Sequence, residues 1–124
     1  MGPLWDFDIA LGNIDYNGNW ETEGFWIKGV AWYNRLFQDP AFVAKVKERF
    51  NYFYNKQSDI MNEINLNAQY LRYSVIENNN KWGTFYNYTW PNYDIWGNYQ
   101  SEVQSMKSWI QKRFEWLKEQ FDAM

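Results

Sequence analysis

Cysteine and histidine are both absent from this 124-residue chain, and their absence closes off more chemistry than any residue present opens. Without cysteine there are no disulfides, no thiolate zinc sites and no thiol nucleophile. Without histidine there is no Ser-His or Cys-His machinery. Metal binding or catalysis would have to run on carboxylates, amides, hydroxyls, Lys or Arg, and oxygen ligands favour Mg²⁺, Mn²⁺ or Ca²⁺. Positive charge is also short: 12 Lys and Arg stand against 15 Asp and Glu, a net charge of -3. With no basic tract, neither nucleic acid nor an anionic membrane has its usual electrostatic driver. No apolar run reaches the roughly 18 residues of a transmembrane helix. The N-terminus lacks the basic-then-apolar pattern of a secretory leader. Instead Gly2-Pro3-Leu4-Trp5 reads like the middle of a fold, so a preceding portion of the domain is expected.

What the chain has in quantity is aromatic side chains: 9 Trp, 10 Tyr and 9 Phe, 23% of all residues. Rings of this kind bury about 150–250 Å² each, so a folded core is expected rather than disorder. The length suits one domain or subdomain spanning 1–124.

Leu4 to Ala10 alternates as a strand does, with Trp5, Phe7 and Ile9 on one face and Asp6 and Asp8 on the other. A loop rich in Gly, Asn and Asp follows over about 12–24. Helical spacing predicts a first helix over about 27–37, with Ile27, Val30, Ala31, Asn34 and Phe37 near one stripe. Asp39-Pro40 signals a restart, an N-cap followed by proline at the first helical position. The second helix is expected over about 40–55, on Val43, Val46, Phe50 and Phe53. Ser58 or Asp59 would cap a third over about 59–77, with Ile60, Ile64, Ala68, Leu71 and Val75 inward, and Asn78-Asn79-Asn80 would end it. A loop of about twenty residues, 81–100, holds Trp82, Phe85, Tyr86, Tyr88, Trp90, Tyr93, Trp96 and Tyr99; packing by its own rings is the expected account of its length. The last helix, about 100–121, opens on a capping-box pattern at Ser101 and Gln104 and carries Val103, Met106, Ile110, Phe114, Leu117 and Phe121. No internal repeat is visible. The fold class is mainly α: three to four helices with a short N-terminal extended segment, which lacks a partner strand in the chain.

The sharpest chemical feature is Trp5-Asp6-Phe7-Asp8. Two carboxylates two residues apart on a strand point the same way, their Cβ atoms about 7 Å apart, close enough to share a divalent cation. Spacing alone favours the plainer reading, solvated acids on an exposed strand face, since D-x-D is a common pattern.

Longer stretches carry a resemblance. Gly2 to Asn13, Gly-Pro-Leu-Trp-Asp-Phe-Asp-Ile-Ala-Leu-Gly-Asn, resembles the G-P-x-W-D-F-D-x-A-F/L-G-N segment of CotH (spore-coat-protein-H-like) kinases. Trp32 to Phe42 resembles that family's W-x-x-R-L-F-x-D-P-x-F stretch, Val46 to Phe50 its V-K-x-R-W/F, and Trp109 to Leu117 its closing W-I/L-x-x-R-x-x-W-L/I. The pieces follow the family's order over nearly the whole chain. The resemblance implies the C-terminal portion of an atypical protein-kinase-like fold, incomplete in itself. In the parent protein it implies ATP with Mg or Mn, an extracytoplasmic or secreted location, and a protein substrate. Asp6 would hold the cation that bridges nucleotide phosphates, with Asp8 a weaker candidate for the same metal site. The family's phosphate-contacting Lys or Arg and catalytic-loop aspartate precede this segment. No catalytic residue is therefore assigned here, no cofactor is expected for the chain alone, and the missing N-terminal part of the same domain becomes the expected partner. Apolar surface left bare by its loss would drive self-association.

The other features read structurally. A calcium loop starting at Asp15 would need Gly where Trp20 stands and Glu where Trp26 stands. Arg35, Arg49 and Arg113 are expected in ion pairs or packed along their stems. Asn87-Tyr88-Thr89 is a glycosylation sequon, meaningful only in a glycosylating pathway. A competing functional class is a non-catalytic carbohydrate-binding module that stacks sugars on Trp82, Trp90 and Trp96. A glycosidase fits poorly, since Asp6 and Asp8 lie side by side instead of across a cleft.

Overall fold

The computed structural model describes residues 7 and 9–124 and is mainly helical, with five helices and, among the described residues, no strand. The predicted strand falls mostly outside the described residues. Where it can be checked it is a turn: Ala10 N donates to Phe7 O at 3.1 Å. Phe7, expected to anchor that strand in a core, is 63% exposed.

The first helix is shorter than its stripe suggested: α1 covers Ala31–Leu36, with no side-chain cap at Val30. A turn occupies residues 27–30, where Gly29 weakens helical continuation. Only Phe37 of the predicted stripe turns inward; Ile27, Val30, Ala31 and Asn34 are exposed. Asp39-Pro40 behaves as read, its carboxylate accepting from Ala41 N at 2.8 Å at the head of α2, Pro40–Tyr54. The predicted third helix is two, α3 (Gln57–Tyr70) and α4 (Arg72–Trp82), jointed at Leu71. At that joint the Arg72 guanidinium donates to the Gln69 carbonyl at 2.7 Å, competing for an acceptor of the helical ladder. Neither Ser58 nor Asp59 caps α3: it begins earlier, and Asp59 pairs with Lys56 at 2.9 Å from within the first turn. The three asparagines do not end α4, which runs on to Trp82 and stops at Gly83 in the left-handed conformation. A Cβ at Gly83 would meet Asn87 Nδ2 at 2.4 Å, so glycine makes the stop.

The longest helix, α5 (Tyr99–Asp122), is capped by Asn98, whose side chain accepts from Ser101 N at 2.9 Å. Ser101 is thus the capped residue and not the cap. Around α5 the rest is arranged. Phe50 of α2 packs on Phe114 and Phe121 at 5.9 and 4.9 Å, and the Tyr54 hydroxyl donates to Glu115 at 3.0 Å. That bond raises the Tyr54 phenol above its ordinary pKa. Lys107 reaches Asn65 Oδ1 at 2.9 Å, and the Tyr99 hydroxyl reaches the Ala68 carbonyl at 3.1 Å. Numbers rise along α3 as they fall along α5, so the pair is antiparallel. α2 lies along the C-terminal half of α5 and α3 along its N-terminal half.

The core is thin. Among the described residues the buried apolar side chains are Ile14, Ile110 and Phe121, while Trp32 and Tyr70 are 83% and 81% exposed. No described helix is long and apolar enough to cross a membrane.

Candidate functional site

Residues 12–25 form a strap across α5, fixed by two hydrogen bonds from donors one turn apart on that helix. Trp109 Nε1 donates to the Trp20 carbonyl at 2.7 Å, and Arg113 Nη1 to the Thr22 carbonyl at 2.8 Å. Residues four apart on a helix are about 6 Å apart along its axis. Phe25 completes the strap against Trp116 and Phe121, centroids 4.9 and 5.5 Å away. Gly12 lies directly on the Trp109 indole: a Cβ there would come 2.4 Å from Nε1, and its φ of +84° already favours glycine.

The strap also zips to the aromatic loop between α4 and α5. Asp15 N donates to Pro91 O at 3.0 Å, and Asn13 Nδ2 to Asn92 Oδ1 at 2.9 Å. Tyr16 stacks on Trp90 and Trp20 on Tyr93, centroids 5.9 and 5.3 Å apart. The Tyr88 hydroxyl donates to Asp15 Oδ2, and this bond, with a smaller contribution from burial, raises the phenol above its ordinary pKa.

Between strap, loop and the N-terminal half of α5 lies an open cleft of about 830 Å³. Trp20, Tyr93, Trp96 and Trp109 supply its aromatic lining; Glu21, Asp94, Glu102 and Lys112 supply its charge. The three acids are engaged locally. Glu21 accepts from Trp20 Nε1 at 3.1 Å, Asp94 from Ile95 N at 2.7 Å and Glu102 from Trp96 N at 2.7 Å. Among the described residues, no three carboxylates gather where they could hold a metal ion. The metal-site candidates Asp6 and Asp8 lie outside the described residues; Phe7 and Ala10 to Asn13 line the cleft.

The stacking candidates are not brought together there. Trp96 lines the cleft, but Trp82 and Trp90 do not. Nor is the loop packed chiefly by its own rings: Trp82 and Trp90 are 63% and 67% exposed, and only Phe85 and Tyr99 turn inward against each other, 6.4 Å apart. Of the three arginines, Arg113 stacks over Trp116 at 5.0 Å and Arg49 over Tyr52 at 5.1 Å, while Arg35 bonds Gln38 at 2.7 Å. None is in an ion pair among the described residues. Burial lowers the Arg113 pKa. Sequence reasoning missed Trp20, Tyr93 and Lys112 as cleft residues. The available signal was the four-residue spacing of Trp109 and Arg113, two donors on one helical face facing a polar loop.

No curated protein and no solved structure matches the chain significantly. A known family does: the sequence model described as CotH kinase protein matches residues 1–117, nearly the full length, in agreement with the four motifs and the mainly helical fold. The chain belongs to the CotH kinase family.

Proposed function

We propose that this chain is the C-terminal helical portion of a metal- and ATP-dependent CotH-like protein kinase, and that it transfers no phosphoryl group by itself. The observation that carries the reading is the family match over residues 1–117, which includes the Asp6 and Asp8 pair. Asp6 holds the divalent cation, and Asp8 supports the same site. The cation supplies charge neutralisation on the nucleotide phosphates, the main requirement of phosphoryl transfer besides positioning. The chain's own part is to form the cleft lined by Phe7 and Ala10 to Asn13 and hold its walls: Trp109 and Arg113 fix the strap, and Asn98 fixes the start of α5. The substrate is a protein, and the location is extracytoplasmic, as the family implies.

The partner we propose is the rest of the same domain. Surface area supports it. The chain exposes 9455 Å², against about 7,100 Å² for a compact monomer of 15.2 kDa, an excess of about 2,300 Å². A standard interface covers about 800 Å² per partner, so this excess suits a large, permanent one.

Radiolabelled-ATP transfer to a mixed protein substrate tests both parts, using the chain alone and the longer protein that contains it. We expect transfer by the longer protein, its loss in Asp6→Asn, and none by the chain alone. Asp6-dependent transfer by the chain alone would remove the claim of inactivity; full activity of Asp6→Asn in the longer protein would remove the metal role.

A second reading keeps one observation in its favour. The exposure of Trp82 and Trp90 offers ring faces of the sort that stack on sugars. Glycan-array binding lost in Trp90→Ala and Trp96→Ala would support a carbohydrate module. No binding by the unaltered chain would dismiss it.

A further inference from the structure

A second groove, about 440 Å³, opens on the side of the molecule where α2 meets the C-terminal half of α5. Its walls are Phe25, Phe37, Phe42, Val46, Leu117 and Phe121. Lys28 and Arg113 are the charged residues of its lining, and the Lys28 ammonium stands directly over the apolar wall. Lys28 Nζ lies over the Phe25 and Phe37 rings at 4.8 and 5.3 Å, with Met124 Sδ 3.9 Å away. The Arg113 guanidinium spends one N–H on the Thr22 carbonyl and lies over Trp116. Arg offers five donors and Lys three. Neither cation has an ion-pair partner among the described residues, where the ion pairs are Lys56–Asp59 and Lys118–Asp122. No Asp or Glu lines the groove. In a chain of net charge -3, this is a local concentration of positive charge on a greasy floor. A cation half withdrawn from water, with donors left over, is stabilised by an anion that brings its own apolar surface.

We propose that this groove binds an amphipathic carboxylate, an alkyl chain whose single charged end meets Lys28 and Arg113. Charge complementarity selects the carboxylate, and the aromatic walls select the chain. The volume lies in the range of small-ligand sites. A peptide is disfavoured, because the lining has no amide or carboxylate side chain to satisfy the N–H groups of a peptide backbone. The proposal is independent of the phosphoryl-transfer reading, since the groove shares no lining residue with the cleft.

The test is isothermal titration of the intact chain with decanoate, decanol and decyltrimethylammonium, each below its micellar concentration, supported by the tryptophan fluorescence change that is lost in Trp26→Phe, a lining residue. Decanoate should bind about tenfold or more tighter than decanol, as expected for a charge-assisted contact. It should weaken about tenfold in Lys28→Glu, a side chain with no hydrogen bond to the backbone. Equal affinity for decanol or for the ammonium compound would overturn the proposal, as would no decanoate binding, or decanoate affinity unchanged in Lys28→Glu. Where Lys28→Glu fails to fold, as read by thermal melting, the decanoate-to-decanol ratio in the unaltered chain decides alone.

Discussion

Gly12 and Gly29 differ in what a methyl group would meet. At Gly12 a Cβ collides with the Trp109 indole and φ is +84°; at Gly29 nothing lies within 4 Å. We expect Gly12→Ala to cost about 2 kcal/mol or more, from left-handed strain and displacement of the ring. Gly29→Ala should stay within about 1 kcal/mol, on the stabilising side. Urea unfolding of the two variants reads the difference, and similar midpoints would show that the Trp109 contact is not a constraint. Tyr88 gives a second residue-scale expectation. Its hydrogen bond to Asp15 raises the phenol pKa. The tie between strap and loop is therefore fully present below the unfolded value, about 10, and is lost as pH rises through the higher folded value. In phenolate absorbance titrations, the transition missing from Tyr88→Phe should lie above that of an ordinary tyrosine. A missing transition at or below the ordinary value would contradict the bond.

At the scale of elements, caps decide where helices begin, and only some were legible. Asp39-Pro40 was readable because the cap and the first helical residue are adjacent in sequence. Ser101 with Gln104 looked equally good, yet Asn98 is the cap, its backbone extended and its side chain on Ser101 N. Glu102 reaches back to Trp96 N at 2.7 Å and fixes that entry, a contact that depends on the course of the preceding loop. Asn98→Ala should therefore destabilise the chain by about 1 kcal/mol, and Ser101→Ala by no more than about 0.5 kcal/mol. Thermal melts of the pair separate the assignments; a larger loss at Ser101 would restore the capping box. The joint at Leu71 was hidden for a related reason. Ile60, Ile64 and Ala68 continue one stripe into Leu71, so periodicity saw a single helix, while the Arg72 side chain competes for a backbone carbonyl.

For the whole molecule, the number of large apolar side chains left exposed is the dominant property. Trp32, Tyr70 and Trp82 are 83%, 81% and 63% exposed, large rings left in solvent. Replacing these three with Gln should reduce self-association of the chain in sedimentation velocity runs while changing its unfolding free energy by about 1 kcal/mol or less, because they contribute little to packing within the chain. Loss of the folded state in that variant would mean the rings support the fold itself. The same surface explains why hydrophobic periodicity succeeded for α5 and failed for α1. α5 touches chain on several sides, so its stripe residues Ile110 and Phe121 are buried; the α1 stripe, Phe37 apart, faces solvent.

The sequence by itself determined the family, the helical class, the start of α2 and the inward residues of α5. These follow from ordered motifs, local capping chemistry and 3.6-residue periodicity, all encoded by neighbours along the chain. Tertiary structure alone decided which loops meet. Trp20 and Thr22 lie 89 and 91 positions from Trp109 and Arg113, and their carbonyls meet those donors only because the strap crosses the face of α5 on which both donors lie, one turn apart. The same long-range closure set the cleft between strap, aromatic loop and α5 and put Lys28 and Arg113 in the lining of an apolar groove, arrangements that no local pattern carries.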